Sequence, residues 1–196
     1  TGIALIALSA TTLLAISGTV GPLEEAMFRV INLLPSALNP VIQLIMQFGA
    51  LYFVFIASAI ALAYKHNRLF LKILGGGVGT WAFVKVAKSL IDRERPAYLL
   101  SEIIERGSNS GLLGFPSGHA SVAALIATVS APYVSKNWSR LLWAAALITA
   151  SGRVFVGAHL PLDVIAGLAL GWLVGSAMNV AFGTPAKPWP KQAVMK

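Results

Sequence analysis

Apolar residues run through this chain in long blocks, interrupted by polar residues at irregular intervals. Crossing a bilayer takes roughly 20 mostly apolar residues. Six stretches qualify, at about 3–20, 40–63, 69–91, 119–135, 140–158 and 161–182. The first and fourth are short, and the third and fifth carry charges near one end. Between the first two, Pro22 to Pro35 has a different pattern. Leu23, Met27, Val30, Ile31 and Leu34 share one helical face, while Glu24, Glu25, Arg29 and Asn32 lie away from it. That suits a helix lying in the membrane interface. The predicted fold is all-α: a polytopic membrane protein, a six-transmembrane-helix bundle with an interfacial amphipathic helix over about 22–35. Gly75 with Gly79, and Gly167, Gly171 and Gly175, put a small residue at every fourth position. Close packing inside the bundle, rather than a dimer interface, is the expected use. Residues 1–183 form one domain, and 184–196 a basic, proline-containing, disordered tail.

Composition supports lipid as the natural solvent. Of 196 residues only 11% are charged, where a soluble domain carries about 25%. The net charge of +8 could suit nucleic acid. No run of Lys and Arg interleaved with aromatics occurs, so nucleic acid is not an expected partner. The absence of cysteine excludes thiol catalysis, disulfides and cysteine metal sites. The chain opens at Thr1 with no basic stretch before the apolar run, so excision from a longer protein is expected rather than a signal peptide.

Six spans would place alternate connections on opposite sides. One side receives Lys65, Arg68, Lys72, Lys136, Arg140, Lys187, Lys191 and Lys196, and no acid. All seven Asp and Glu residues fall on the other side with the remaining basic residues. The positive-inside rule makes the purely basic side cytoplasmic. Both termini are then inside, and the 92–118 loop faces outward.

That outward side gathers polar residues with chemical potential. Lys85, Lys88 and Asp92 end the third span at helical spacing, followed by Arg95-Pro96. A lysine at such a place can simply snorkel to the headgroups. Pro116-Ser117-Gly118-His119 opens the fourth span. Ser117 suits an N-cap, Gly118 admits a ligand close to the backbone, and a helix N-terminus favours phosphate. Arg153 lies near the outer end of the fifth span. His159 and Asp163 follow, with Pro161 at the first position of the sixth. A carboxylate holding one imidazole N–H leaves the other nitrogen free to attack, although a structural His–Asp capping pair would look the same. Three separate regions, 88–95, 116–119 and 153–163, thus converge on one membrane face. Charges there are costly and mostly functional. Cations, a helix N-terminus and two histidines match the needs of phosphoryl transfer. Lys88, Arg95 and Arg153 would repel a divalent metal, so neither a metal nor any other cofactor is expected.

These motifs resemble those of the type 2 phosphatidic acid phosphatase (PAP2) family of membrane phosphatases. Lys88, six residues, then Arg95-Pro96 is similar to its first motif, Pro116 to His119 to its second, and Arg153, His159 and Asp163 at their spacing to its third. The motifs cover 88–163, and the six-helix layout extends the likeness over nearly the whole chain. The resemblance implies that His159 is the nucleophile, forming a phosphohistidine, with Asp163 orienting it. His119 would protonate the leaving alkoxide, and Lys88, Arg95, Ser117, Gly118 and Arg153 would hold the phosphate without a metal. The sequence departs at Gly152, where the family usually has serine; Ser151 is one place too early to replace that hydroxyl.

The expected reaction is hydrolysis of a lipid phosphate of the phosphatidic acid, phosphatidylglycerol phosphate or polyprenyl diphosphate type. Tyr98, Leu99, Leu100, Ile103, Ile104, Leu112, Leu113 and Phe115 make the neighbouring loop greasy, which favours a lipid over a soluble ester. The partners expected are that substrate and membrane lipids, while oligomeric state and headgroup stay open. Two alternatives remain: a lipid phosphotransferase of the same architecture, and a non-catalytic module that binds or transports anionic lipid.

Overall fold

The computed structural model describes residues 1–107 and 111–185. Residues 186–196, most of the predicted tail, lie outside the described residues. Within them the chain is all-α, as predicted, with helices α1 (Gly2–Ala15), α2 (Pro22–Asn32), α3 (Asn39–Met46), α4 (Leu51–Ala63), α5 (Asn67–Ile91), α6 (Pro96–Leu99), α7 (Gly118–Ser130), α8 (Lys136–Phe155) and α9 (Pro161–Phe182). The helices α5 and α9 are long and apolar enough to cross a membrane. The α2 helix and the Ser36–Gly49 stretch together form a third candidate, bent by 72°.

The bundle is organised around α7. Its Ala- and Ser-rich sequence presents little bulk in any direction, so α5, α8 and α9 all pack against it, and every residue from Ala120 to Ser130 is buried. The hydroxyls of Ser121 and Thr128 donate to carbonyls of Ser117 and Ala124, 2.9 and 2.7 Å away, so the helix satisfies its own polar groups. The α9 helix approaches closely through the predicted glycine stripe. A Cβ at Gly171 would run into the Ser121 carbonyl, and one at Gly175 would sit 2.7 Å from Thr128 Cβ. The other pair departs from expectation. Gly75 and Gly79 meet nothing within 4 Å, and the neighbouring Gly76 and Gly77 turn inward instead.

Two further findings concern the first third of the chain. The stretch predicted as a continuous span over 40–63 is broken. After α3 comes a single turn, Gln47–Gly49, then an extended Ala50 (φ −75°, ψ 148°), then α4. The break has a tertiary cause: Gly49 lies against the backbone of His119, and a Cβ there would also be 2.9 Å from Thr149 Cγ2. In α2 the apolar face points away from the bundle, with Leu23 75% and Val30 71% exposed. Glu24, Phe28 and Asn32 form the face buried against the protein, so the polar residues that lie away from the apolar face are here partly enclosed rather than solvated. Asn32 exchanges two hydrogen bonds of 2.9 Å with the backbone of Ile104. Arg106 donates to the carbonyls of Asn32, Leu34 and Phe155. Both residues anchor the 100–107 loop.

Candidate active site

The three regions named from the sequence meet at one end of the bundle. Lys88 lies in the last turn of α5, half-buried, and donates to the carbonyls of Leu113 and Gly114 at 2.9 and 2.6 Å. An ammonium has three donors, so one remains for another acceptor. The α5 helix ends at Asp92, whose left-handed backbone (φ 53°) turns the chain. The loop beyond is clasped to itself, with Arg95 N donating to Leu112 O at 3.0 Å and Gly114 N to Arg93 O at 2.7 Å.

Ser117 occupies the N-cap position of α7, but its hydroxyl makes no capping bond, contrary to expectation. Its own amide donates to the Asp163 carbonyl at 2.9 Å, which ties the start of α7 to that of α9. Ser117 Oγ, Arg153 Nε and His159 Nδ1 are buried polar atoms that lack a hydrogen-bond partner. Buried polar groups are rarely left so, and these three belong to the second and third motifs. Gly118 has room to spare, since a Cβ there would meet only Val84 Cγ1, at 3.6 Å. Packing does not demand glycine at this helix start. His119 follows, half-buried.

His159 is 2% exposed and Asp163 fully buried. Their closest approach is 3.4 Å, from His159 Nδ1 to Asp163 Oδ2, long for a hydrogen bond. Oδ2 also accepts the Leu160 amide at 2.9 Å, so the carboxylate caps α9 while facing the imidazole. Burial first, then the charges of Lys88, Arg153, Arg95 and His119, hold the His159 imidazole well below the usual histidine range. It is therefore neutral at neutral pH, with a lone pair available. The same interactions place all four of those residues within electrostatic reach of His159.

Two residues escaped the sequence reading. Arg93 is fully buried and joins two acids. Its Nη2 donates to Glu24 Oε2 at 2.6 Å. Its Nη1 donates to Asp163 Oδ1 at 3.0 Å and to Glu24 Oε1 at 3.1 Å. Burial works against the guanidinium charge, but the hydrogen bond and charge of Glu24 and the charge of Asp163 outweigh it and raise its pKa above the ordinary arginine value. Glu24 also accepts the Leu162 amide at 3.0 Å. Both oxygens of Asp163 are thus committed, and the carboxylate cannot rotate away from His159. Arg93 carried a signal in being a charged residue that the Lys88–Arg95 spacing left unused. Glu24 carried none, since its partner lies 69 positions away.

The missing hydroxyl at Gly152 has a steric counterpart. A Cβ at that position would lie 2.8 Å from Ile42 Cγ2 and 2.9 Å from Met46 Cγ, so α3 occupies the space. Ser151 is exposed on the outer surface of α8 and does not substitute for it.

Comparison with known proteins gives the chain's family and fold. The sequence model of the PAP2 superfamily matches residues 69–185. The chain is 29% identical over 153 residues to an undecaprenyl-diphosphatase of Sulfolobus acidocaldarius, covering 76% of this chain and 72% of that protein. Its fold is similar to that of LpxE from Aquifex aeolicus, with a TM-score of 0.71 and 24% identity over 81% of this chain and 95% of the other. It is also similar to a transmembrane PAP2-type phosphatidylglycerolphosphate phosphatase of Bacillus subtilis, with a TM-score of 0.72 and 23% identity over 90% and 94%. The chain belongs to the PAP2 superfamily and is a phosphatase of that membrane family.

Proposed function

We propose that this phosphatase hydrolyses a lipid phosphate at the extracytoplasmic membrane face, without a metal ion, through a phosphohistidine on His159. The observation that carries the reading is the buried His159–Asp163 pair, held neutral on the imidazole side and fixed on the carboxylate side by Arg93. In the first step His159 Nε2 attacks phosphorus in line, and the bond from phosphorus to the lipid oxygen breaks as His119 gives that oxygen a proton. In the second step water attacks the phosphohistidine, returns a proton to His119 and releases inorganic phosphate. Lys88, Arg95 and Arg153 stabilise the equatorial oxygens, with the uncapped start of α7 at Ser117 and Gly118. The orphaned Ser117 Oγ and Arg153 Nε are suited to such oxygens.

Metal independence rests on the donor set. Among the described residues no three His, Asp or Glu side chains converge as ligands, and the three cations would oppose a divalent ion. A lipid substrate is supported by the greasy 98–115 loop and by the relatives named for lipid phosphates. The extracytoplasmic face and six spans, with 1–183 as the catalytic domain, rest on the distribution of acids and bases along the chain. The test is phosphate release by purified protein from phosphatidic acid, phosphatidylglycerol phosphate and a polyprenyl diphosphate in excess chelator. Release should persist, and alkaline quenching should trap an acid-labile phosphoprotein that the His159→Ala variant lacks. Activity that vanishes in chelator and returns with magnesium would refute the proposal. Cysteines at Ser101 and Ser135 should label from opposite sides of intact cells, and labelling of both from outside would refute the topology.

A further inference from the structure

The end of the bundle remote from the candidate active site carries a feature that the chemistry above does not use. Twenty residues of α5, about 30 Å at 1.5 Å per residue, separate Arg68 from Lys88. Between α4 and α8, floored by α7, lies an apolar slot of about 330 Å³ whose walls include Phe48, Phe53, Ala57, Ile60, Ile126 and Leu142. It is within the size range of ligand pockets. The slot does not end in hydrocarbon. His66 and Tyr133 line its mouth and also line an adjoining recess of about 290 Å³ formed with Lys65, Asn67 and Arg68. The two rings meet edge to face at 5.7 Å, and Lys72 Nζ sits 5.2 Å from the Tyr133 ring centroid.

Among the described residues no acid compensates the charge at this mouth. No Asp or Glu occurs in 51–80, 120–145 or 170–185, the segments that meet here. The ion pairs among the described residues, Arg29–Glu25, Arg93–Glu24, Arg93–Asp163 and His159–Asp163, all belong to the other end. Lys72 is satisfied by neutral oxygens, those of Asn179 and Gly183, at 2.8 and 2.6 Å. Lys65 takes a left-handed backbone (φ 58°) at the turn after α4, where glycine or asparagine would cost less. A lysine there keeps a cation beside the recess.

We propose that this slot and recess bind an anionic phospholipid of the adjacent leaflet, with an acyl chain along Phe53, Ala57 and Ile126 and the phosphodiester at Lys65 and Arg68. An acyl chain needs the apolar walls, and a negative headgroup is what the acid-free rim complements. Tyr133, with an apolar body and a polar tip, suits the boundary between them.

The experiment uses the purified full chain with phosphatidylglycerol and phosphatidylcholine of identical chains, retention being read by native mass spectrometry. Vanadate is present throughout to occupy the candidate active site. Phosphatidylglycerol is a diester and offers no terminal phosphate, so binding is read apart from turnover. Two cations near a headgroup correspond to about a thirtyfold preference for the anionic lipid. The Lys65→Gln/Arg68→Gln variant should reduce that preference to about threefold or less, with thermal unfolding unchanged. The Ala57→Trp variant should weaken both lipids alike; Ala57→Leu serves the same purpose if the tryptophan prevents folding. Equal retention of the two lipids by the unaltered protein would overturn the proposal, as would a preference that survives in the double variant. Full competition by glycerol 3-phosphate would also overturn it, by showing a site for free phosphate rather than for a lipid.

Discussion

Arg93 and Lys72 are both fully buried cations, yet they lie at opposite ends of the bundle and are satisfied in opposite ways. Arg93 lies between two carboxylates, Glu24 and Asp163. Lys72 lies among an amide oxygen, a carbonyl and an aromatic face. Buried charge is tolerable only with such partners, but the two solutions do different things. Neutral oxygens satisfy Lys72 and leave a net positive charge, as suits the anionic-lipid site proposed for that end. Around Arg93 the two acids outnumber the base, and one of them faces a histidine. Charge at that end is coupled, so a change at Glu24 or Arg93 reaches His159 through Asp163, whereas a change at Lys72 has no such route.

The largest effect separates the ends outright. His159→Ala should abolish turnover on every substrate, a loss on the order of 10⁴ or more, while Lys72→Met should leave the rate within about twofold. Initial rates on one lipid and on p-nitrophenyl phosphate decide this. A His159 variant with substantial activity would show that the coupled end is structural only. His119→Ala comes next. A lipid alkoxide needs a proton to leave and a nitrophenolate does not, so the loss should be roughly 10²–10⁴ on lipid and much smaller on the aryl ester. Equal losses on both would make His119 a binding residue.

Stability gives a smaller and more direct test of the two cations. Arg93→Met leaves two buried carboxylates facing each other, and breaking a buried pair from one side costs about 3–5 kcal/mol. Lys72→Met strands an amide oxygen and a carbonyl, at about 1–3 kcal/mol. Thermal unfolding in one detergent should therefore rank Arg93→Met as the less stable. Adding Glu24→Gln to Arg93→Met should recover part of the loss, because one of the two like charges is gone. A reversed ranking would break the comparison.

What the sequence shows of this arrangement follows from how local each cause is. The α9 boundaries are legible because Pro161 and Gly183 bracket a continuous apolar run. The same holds within each motif, at Ser117 with His119 and at Arg153 with His159 and Asp163, whereas the convergence of the motifs with Lys88 across 75 positions follows from the alternation of spans and from the resemblance to the PAP2 motifs. The break at Ala50 is marked in the sequence only faintly, by Gln43, Gln47 and Gly49 in an otherwise apolar run, because what Gly49 packs against is the backbone of His119, seventy positions on. Helical periodicity places Glu24 and Asn32 away from the apolar face of α2 and says nothing of what they meet there. They turn inward because Arg93 and Ile104, from a distant loop, offer better partners. Periodicity finds which residues share a face, but not which face meets the protein when a polar network waits there.

The subtlest prediction concerns pH. Burial and the surrounding cations keep the His159 imidazole unprotonated well below the usual 6.5. Protonation would remove the attacking lone pair, so the acid limb of kcat/KM that His159 contributes should lie below that value. The substrate's second phosphate ionisation, with a pKa of about 6, falls nearby and would obscure an absolute reading. It is the same for every variant, so the informative quantity is a difference. Arg95 is one of the cations that disfavour the imidazolium. Arg95→Gln should lower the rate and also move the acid limb to higher pH, since one repulsive charge is removed. Arg68→Gln, at the remote end of α5, should leave the limb in place. An unmoved limb in Arg95→Gln, or one moved toward acid, would mean that the cations around His159 do not set its protonation, and that burial alone keeps it neutral.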